Sequence, residues 1–241
     1  MSMENTPLIQ VKHVRKVYRM GEERVIALDY VTLDINKGEF VCFLGTSGSG
    51  KSTFLNMVAG LEKPTKGEIW IGKVPVHKLS EADVTLFRQK NIGFIFQAYH
   101  LIASMTALEN VAFPLVLRGV PKKKRLELAK AQLETVGLKG YENRRPNQMS
   151  GGQQQRVGIA RALVGKPKML FADEPTGNLD SHTTKEVMEL ISHMVRENNQ
   201  TMILVTHDRS IAEYADKIVT INDGNIEHVE IRRGKGKENE N

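Results

Sequence analysis

The stretch Gly45-Thr46-Ser47-Gly48-Ser49-Gly50-Lys51-Ser52-Thr53 constrains this 241-residue chain more than any other. It sets a glycine, four intervening residues, a second glycine, a lysine and a hydroxyl in the order that surrounds phosphate oxygens with backbone N–H groups. An apolar run, Phe40 to Leu44, leads into it, and a helix-like segment, Thr53 to Ala59, follows. Such a loop ends a buried strand and opens a helix whose N-terminus adds positive potential. Lys51 brings a full charge suited to β- and γ-phosphates, and the Ser52 hydroxyl is suited to Mg²⁺. Gly45, Ser47, Gly48, Ser49, Gly50 and Thr53 complete the candidate cradle. The motif implies a nucleotide phosphate and an α/β fold, without saying what the energy is used for.

The rest of the pattern agrees. Phe40 to Leu44, Ile92 to Gln97, Met169 to Asp173, Met202 to Thr206 and Ile218 to Ile221 are short, nearly unbroken apolar runs. Strands buried on both faces in a parallel sheet read this way. Before them, Leu8 to Tyr18, Ala27 to Ile35 and Glu68 to Gly72 are β-rich pieces between Gly and Lys turns, which predicts an antiparallel subdomain. Leu108 to Val164 is rich in Leu, Ala, Glu, Lys and Gln at helical spacing. The expectation is one α/β domain over 1–231, with a helical subdomain inserted at 98–165 and a mixed sheet as its core. The tail from Arg232 has charge and glycine but nothing to bury, which predicts disorder. The run Lys122 to Arg125 follows Pro121 and reads as a solvated helix start.

A second chemical feature closes the run Met169-Leu-Phe-Ala-Asp173-Glu174. Side chains alternate along a strand, so the two acids need not share a task. Asp173 suits the Mg²⁺ shell, and Glu174 suits polarising a water that attacks the γ-phosphate. Carboxylates beside a triphosphate are costly unless metal and lysine balance them, which assigns these acids to the same chemistry as Lys51 and Ser52.

A third feature narrows the field. Met149-Ser150-Gly151-Gly152-Gln153-Gln154-Gln155-Arg156 places an N-cap candidate, Ser150, before two glycines and a helix. A bare helix N-terminus with a hydroxyl is a second anion site. The string closely resembles the signature of the ABC ATPase family, Leu-Ser-Gly-Gly-Gln, with Met149 in place of leucine. The resemblance covers nearly the whole chain. It implies a head-to-tail homodimer in which the Ser150, Gly151, Gly152 and Gln153 of one subunit meet the ATP held by the other. It also implies that Tyr18 stacks on adenine and that Gln97 reaches Mg²⁺ or the attacking water. Asp180, in Pro175-Thr-Gly-Asn-Leu-Asp180, would contact the partner subunit, and His207 would hydrogen-bond the γ-phosphate. His207 follows a buried strand at the end where such sheets bind ligands. The other six histidines have no such placement.

Local strings resemble one branch of that family, the ATPases of lipoprotein-releasing, macrolide-exporting and cell-division systems. They are Gly93 to Gln97, Leu108 to Pro114, Ser150 to Val157 and Asp173 to Ser181. The resemblance implies a separately encoded membrane permease, docked near Gln97 to Ala107, and an exporting or mechanical role. Thr46 departs from the proline common in the branch. An alternative is a non-transport relative acting on nucleic acid or the ribosome. Such relatives carry long coiled-coil or zinc insertions, or two tandem cassettes, and neither occurs here. The net charge is +6, but acids and bases alternate, so no nucleic-acid arm is expected. The single cysteine, Cys42, excludes a disulfide framework and reads as a small buried hydrophobe. No apolar run approaches the ~18 residues a transmembrane helix needs. The expectation is a cytoplasmic protein that reaches the membrane's inner face through a partner.

Overall fold

The computed structural model describes residues 7–232. Contacts divide the chain into two compact units, one running to Val84 and resuming at Thr201, the other spanning Thr85–Gln200.

The first unit carries two sheets. Strands β1 (Ile9–Met20) and β2 (Glu23–Ile35) pair antiparallel, and β1 also pairs antiparallel with β4 (Lys66–Ile71), which pairs with the short β5 (Val74–Pro75). This is the expected antiparallel subdomain. Its inward residues Ile9, Val11, Val14, Leu28 and Ile35 are completely buried. The other sheet is mixed. Strand β3 (Phe40–Leu44) lies parallel to both β8 (Thr201–Thr206) and β9 (Lys217–Asn222), and β10 (Asn225–Ile231) closes the edge antiparallel to β9. Phe40 to Phe43 are all buried, as a strand covered on both faces requires. Helix α1 (Lys51–Val58) follows β3 and buries Phe54, Leu55, Met57 and Val58, with Phe54 packed on Phe43 at 4.3 Å between ring centres.

Helix α2 (Glu81–Asn91) crosses from the first unit into the second. In the second unit, β6 (Ile92–Phe96) and β7 (Met169–Asp173) pair parallel and in register from Ile92 opposite Met169. The helices expected within 98–165 are α3 (Ala107–Leu117), α4 (Lys122–Thr135) and α5 (Gly151–Leu163). Helix α4 starts directly after Pro121, with Lys122 to Lys124 exposed. Helix α6 (Ser181–Glu197) completes this unit, and the one-turn α7 (Arg209–Ala212) follows β8 in the first.

Helix α2 and strand β10 have no counterpart in the sequence reading. Helix α2 buries only Val84, and every residue of β10 is at least partly exposed, so neither carries a strong apolar period. Arg232, first residue of the expected tail, pairs with Glu213 at 2.7 Å and donates its N–H to the Asp216 carbonyl at 2.7 Å. The remainder of that tail, 233–241, lies outside the described residues.

Candidate nucleotide site

The loop between β3 and α1 is shaped by close backbone approach. A β carbon on Gly45 would strike the Ile221 carbonyl oxygen, and one on Gly50 the Ala27 carbonyl oxygen. Gly50 also has φ +106°, where an L side chain is strained. Two further bonds brace the loop: Gly224 N–H donates to Ser49 O (3.0 Å), and Asp29 N–H donates to Gly224 O (2.9 Å). Lys51 is 5% exposed, and its Nζ donates to Thr46 O at 2.6 Å and to Ser49 Oγ at 3.4 Å. Ser52, Thr46, Ser47 and Gly48 face outward. Among the described residues no side chain caps α1, which leaves its N-terminal dipole to act on whatever the loop holds.

Tyr18 stands in the same unit, half-buried. Its hydroxyl donates to Glu62 Oε2 at 2.6 Å, and Lys16 Nζ lies 3.0 Å from that carboxylate and 5.0 Å from the Tyr18 ring centre. Burial and the Glu62 carboxylate push the phenol above its usual range. The Glu62 carboxyl is desolvated by its surroundings, yet the bonds from Tyr18 and Lys16 outweigh this and hold it below its usual range. The Tyr18 ring is therefore pinned at its hydroxyl tip. His207, also in this unit, is exposed directly after β8, where Asp208 N–H donates to Thr206 Oγ1 and Asp208 caps α7.

The second unit gathers the other expected residues around one turn. Asp173 ends β7, and Glu174 follows with φ +43°, a left-handed conformation unusual for a non-glycine residue. Gly177 N–H returns to Glu174 O at 3.0 Å. Gln97 lies against this turn: Asn178 Nδ2 donates to its carbonyl at 3.1 Å, and its side-chain amide would meet a β carbon on Gly177 at 2.6 Å.

Ser150 caps α5 as expected. It accepts from Gln153 N–H at 3.3 Å, while Gln153 Oε1 accepts from Ser150 N–H at 3.1 Å. The Gln153 side chain thus reaches back to its own helix start. Gly151 and Gly152 admit close neighbours, the Tyr99 hydroxyl and the Thr183 methyl respectively. Asp180 caps α6, accepting from Thr183 N–H (2.9 Å) and Thr183 Oγ1 (2.6 Å). A polar hollow of about 470 Å³ lies here, lined by Tyr141, Ser150, Gly152, Arg156, Asp180 and Glu186.

Three side chains that position this region were given no role by the sequence, although Asn110 and Gln155 lie inside the strings Leu108 to Pro114 and Ser150 to Val157. Asn110, 1% exposed, accepts from Ile102 N–H and donates to the carbonyls of Ile102, Met105 and Thr106, fixing the loop after Gln97. Leu101, Ile102 and Met105 are consequently half-buried. Arg161 donates to Tyr99 O (2.6 Å) and to His100 O, holding two residues with positive φ. Gln155 is fully buried and donates to Pro175 O.

Among the described residues no cluster of three or more His, Cys, Asp or Glu could cage a metal, whereas Mg²⁺ on a triphosphate needs only one or two protein oxygens. Ser52 in the first unit offers a hydroxyl, and Asp173 and Gln97 in the second offer a carboxylate and an amide, oxygen donors of the kind Mg²⁺ takes. No helix among the described residues is long and apolar enough to cross a membrane.

Comparison with known proteins agrees. The ABC transporter family profile matches residues 28–177, more than half of the chain. The ABC transporter ATP-binding protein MJ0796 of Methanocaldococcus jannaschii is 45% identical over 235 residues, covering 94% of this chain and 98% of that one. The macrolide export ATP-binding/permease protein MacB of Escherichia coli O157:H7 is 43% identical over 221 residues, 92% of this chain but 34% of that longer protein. Among solved structures, the dimeric post-hydrolysis state of the MJ0796 cassette bound to ADP and Pi superposes with TM-score 0.87 at 43% identity, covering 94% of this chain and 99% of that chain. The chain belongs to the ABC transporter family, as one of its ATP-hydrolysing cassettes.

Proposed function

We propose that two copies of this chain close head to tail around two Mg-ATP molecules and drive a membrane permease from the cytoplasmic face. The observation that carries this is the presence of two phosphate-type helix starts in one chain: α1 behind the glycine loop, and α5 behind Ser150. The MJ0796 cassette, of nearly the same length, is described as a dimer, and in MacB an ATP-binding part and a permease share one polypeptide.

In this reading Lys51 and the loop amides bind the β- and γ-phosphates, and Tyr18 stacks on the base. Ser52, Asp173 and Gln97 would be the oxygen donors to Mg²⁺, which when bound would neutralise phosphate charge. Glu174 accepts a proton from the attacking water. His207 donates to the γ-phosphate. Ser150, Gly151, Gly152 and Gln153 present the α5 N-terminus to the nucleotide of the facing copy, and Asp180 lies at the same contact. The permease docks on the face bearing the Gln97 to Ala107 loop. The exposed Leu86 and Leu117, and the hollow of about 180 Å³ lined by Phe94, Phe96, Pro114 and Leu117, support an apolar helix as its contact.

Glu174→Gln removes the proton acceptor and keeps the shape. Turnover should fall by two orders of magnitude or more (about 10²- to 10⁴-fold for general base loss), while Mg-ATP binding persists and gel filtration shows a stable dimer. Turnover at the parent rate in this variant would defeat the assignment of Glu174, and an ATP-loaded monomer would defeat the dimer.

A further inference from the structure

The side chain of Gln155 is a poorly satisfied polar group in the core of the second unit. It lies on α5 at 0% exposure, beside the buried Val157, Gly158, Ile159 and Ala160. Its Nε2 donates to the Pro175 carbonyl, but among the described residues its Oε1 is buried without a hydrogen-bond partner. An aliphatic side chain of similar volume would fill the same space without that orphaned oxygen. The amide therefore serves its one bond.

That bond falls at a strained place. Glu174 holds φ +43°, a conformation that persists only where neighbouring structure over-determines it. Gly177 N–H fixes the Glu174 carbonyl, and Leu179 N–H fixes the Thr176 carbonyl, both at 3.0 Å. The Pro175 carbonyl between them is fixed by Gln155. Proline has no N–H, so the turn has one donor fewer with which to hold itself.

We infer that Gln155 is a positioning residue for Glu174: by clamping the Pro175 carbonyl it holds the left-handed turn from which the Glu174 carboxylate is presented. The inference rests on the reading of Glu174 as the proton acceptor. It has a mechanical corollary. Gln155 lies within about two helical turns of Ser150 on the same helix. A displacement of the α5 start, when a facing copy's nucleotide engages it, is delivered through Gln155 to the backbone beside Glu174.

The test uses the full chain with Gln155→Met, which keeps the volume and removes the donor. The turnover number should fall roughly tenfold to a hundredfold, the scale set by misplacing a reacting group by an ångström or so, with KM for Mg-ATP unchanged. A purely structural role would lower the melting temperature without that split. In a Glu174→Gln background, Gln155→Met should produce no further loss, because the group it positions is already absent. Equal fold-losses in both backgrounds, an unchanged turnover number in the single variant, or a KM that rises as the turnover number falls would each overturn the proposal. Should Gln155→Met fail to fold, Gln155→Asn, whose amide is one methylene too short to reach Pro175, is read by the same criteria. Full turnover in Glu174→Gln alone would instead defeat the reading of Glu174, so the two failures are distinguishable.

Discussion

Lys51 concentrates the chemistry of the loop in one side chain. The residue is 5% exposed and its Nζ donates to Thr46 O and Ser49 Oγ, so the side chain is held inside the fold beside the loop. Hydrogen bonds to charged groups contribute about 1.5–3 kcal/mol. Lys51→Ala should therefore weaken ATP binding by roughly ten- to a hundredfold, as measured by titration calorimetry. Cys42 behaves as expected of a small hydrophobe, with burial pushing its thiol up to about 12. Candidate residues could be named from the sequence where a motif carried them, as at Lys51, Ser52, Ser150 and Glu174. The tasks of Gln155, Asn110 and Arg161 were not legible. Each is a polar side chain whose task is defined by the carbonyls it meets in the fold, 4 to 8 residues away for Asn110, 20 for Gln155 and 62 for the Arg161 bond to Tyr99.

Elements are held by their ends. Asn110, at the start of α3, makes four hydrogen bonds to the loop that follows Gln97. Asn110→Ala orphans several of those backbone groups, each costing about 1–3 kcal/mol if it stays dry. Urea denaturation should show a loss of at least 1 kcal/mol or so, and proteolysis should find the 98–106 loop first. Asp180 caps α6, and the Thr183 hydroxyl and then the Thr183 N–H lower its carboxyl pKa from 3.8. A carboxyl lowered by folding stabilises above its unfolded pKa, and the contribution fades as pH falls through the folded value. In Asp180→Asn the stability lost as pH falls below about 4, the ordinary aspartate range, should be smaller than in the parent, as followed by circular dichroism. The strands and helices with a strong apolar period were readable within a residue or two, β3 and β7 among them. Helix α2 and strand β10 were not, because each leans on its neighbours with few or no buried residues of its own.

At the scale of the whole molecule, a ligand that binds only the folded chain stabilises it by mass action, about 2.7 kcal/mol at a hundred times the dissociation constant. Mg-ATP should raise the thermal midpoint of the parent chain, and Lys51→Ala should abolish most of that shift at equal nucleotide, as read by scanning fluorimetry. The α/β class, the antiparallel subdomain and the helices of 98–165 could be anticipated, since hydrophobic period and motif order carry them. The interlocking of distant segments could not. Its clearest instance is the pair of bonds that runs from Ser49 through Gly224 to Asp29, joining the glycine loop to the β9–β10 hairpin and to β2. A receptacle fastened in this way is already shaped when the nucleotide arrives, so little ordering entropy is spent at the moment of capture. Damage to a remote hairpin would then surface as a failure to retain fuel, and a geneticist mapping such lesions would find them scattered along the gene although they share one lock.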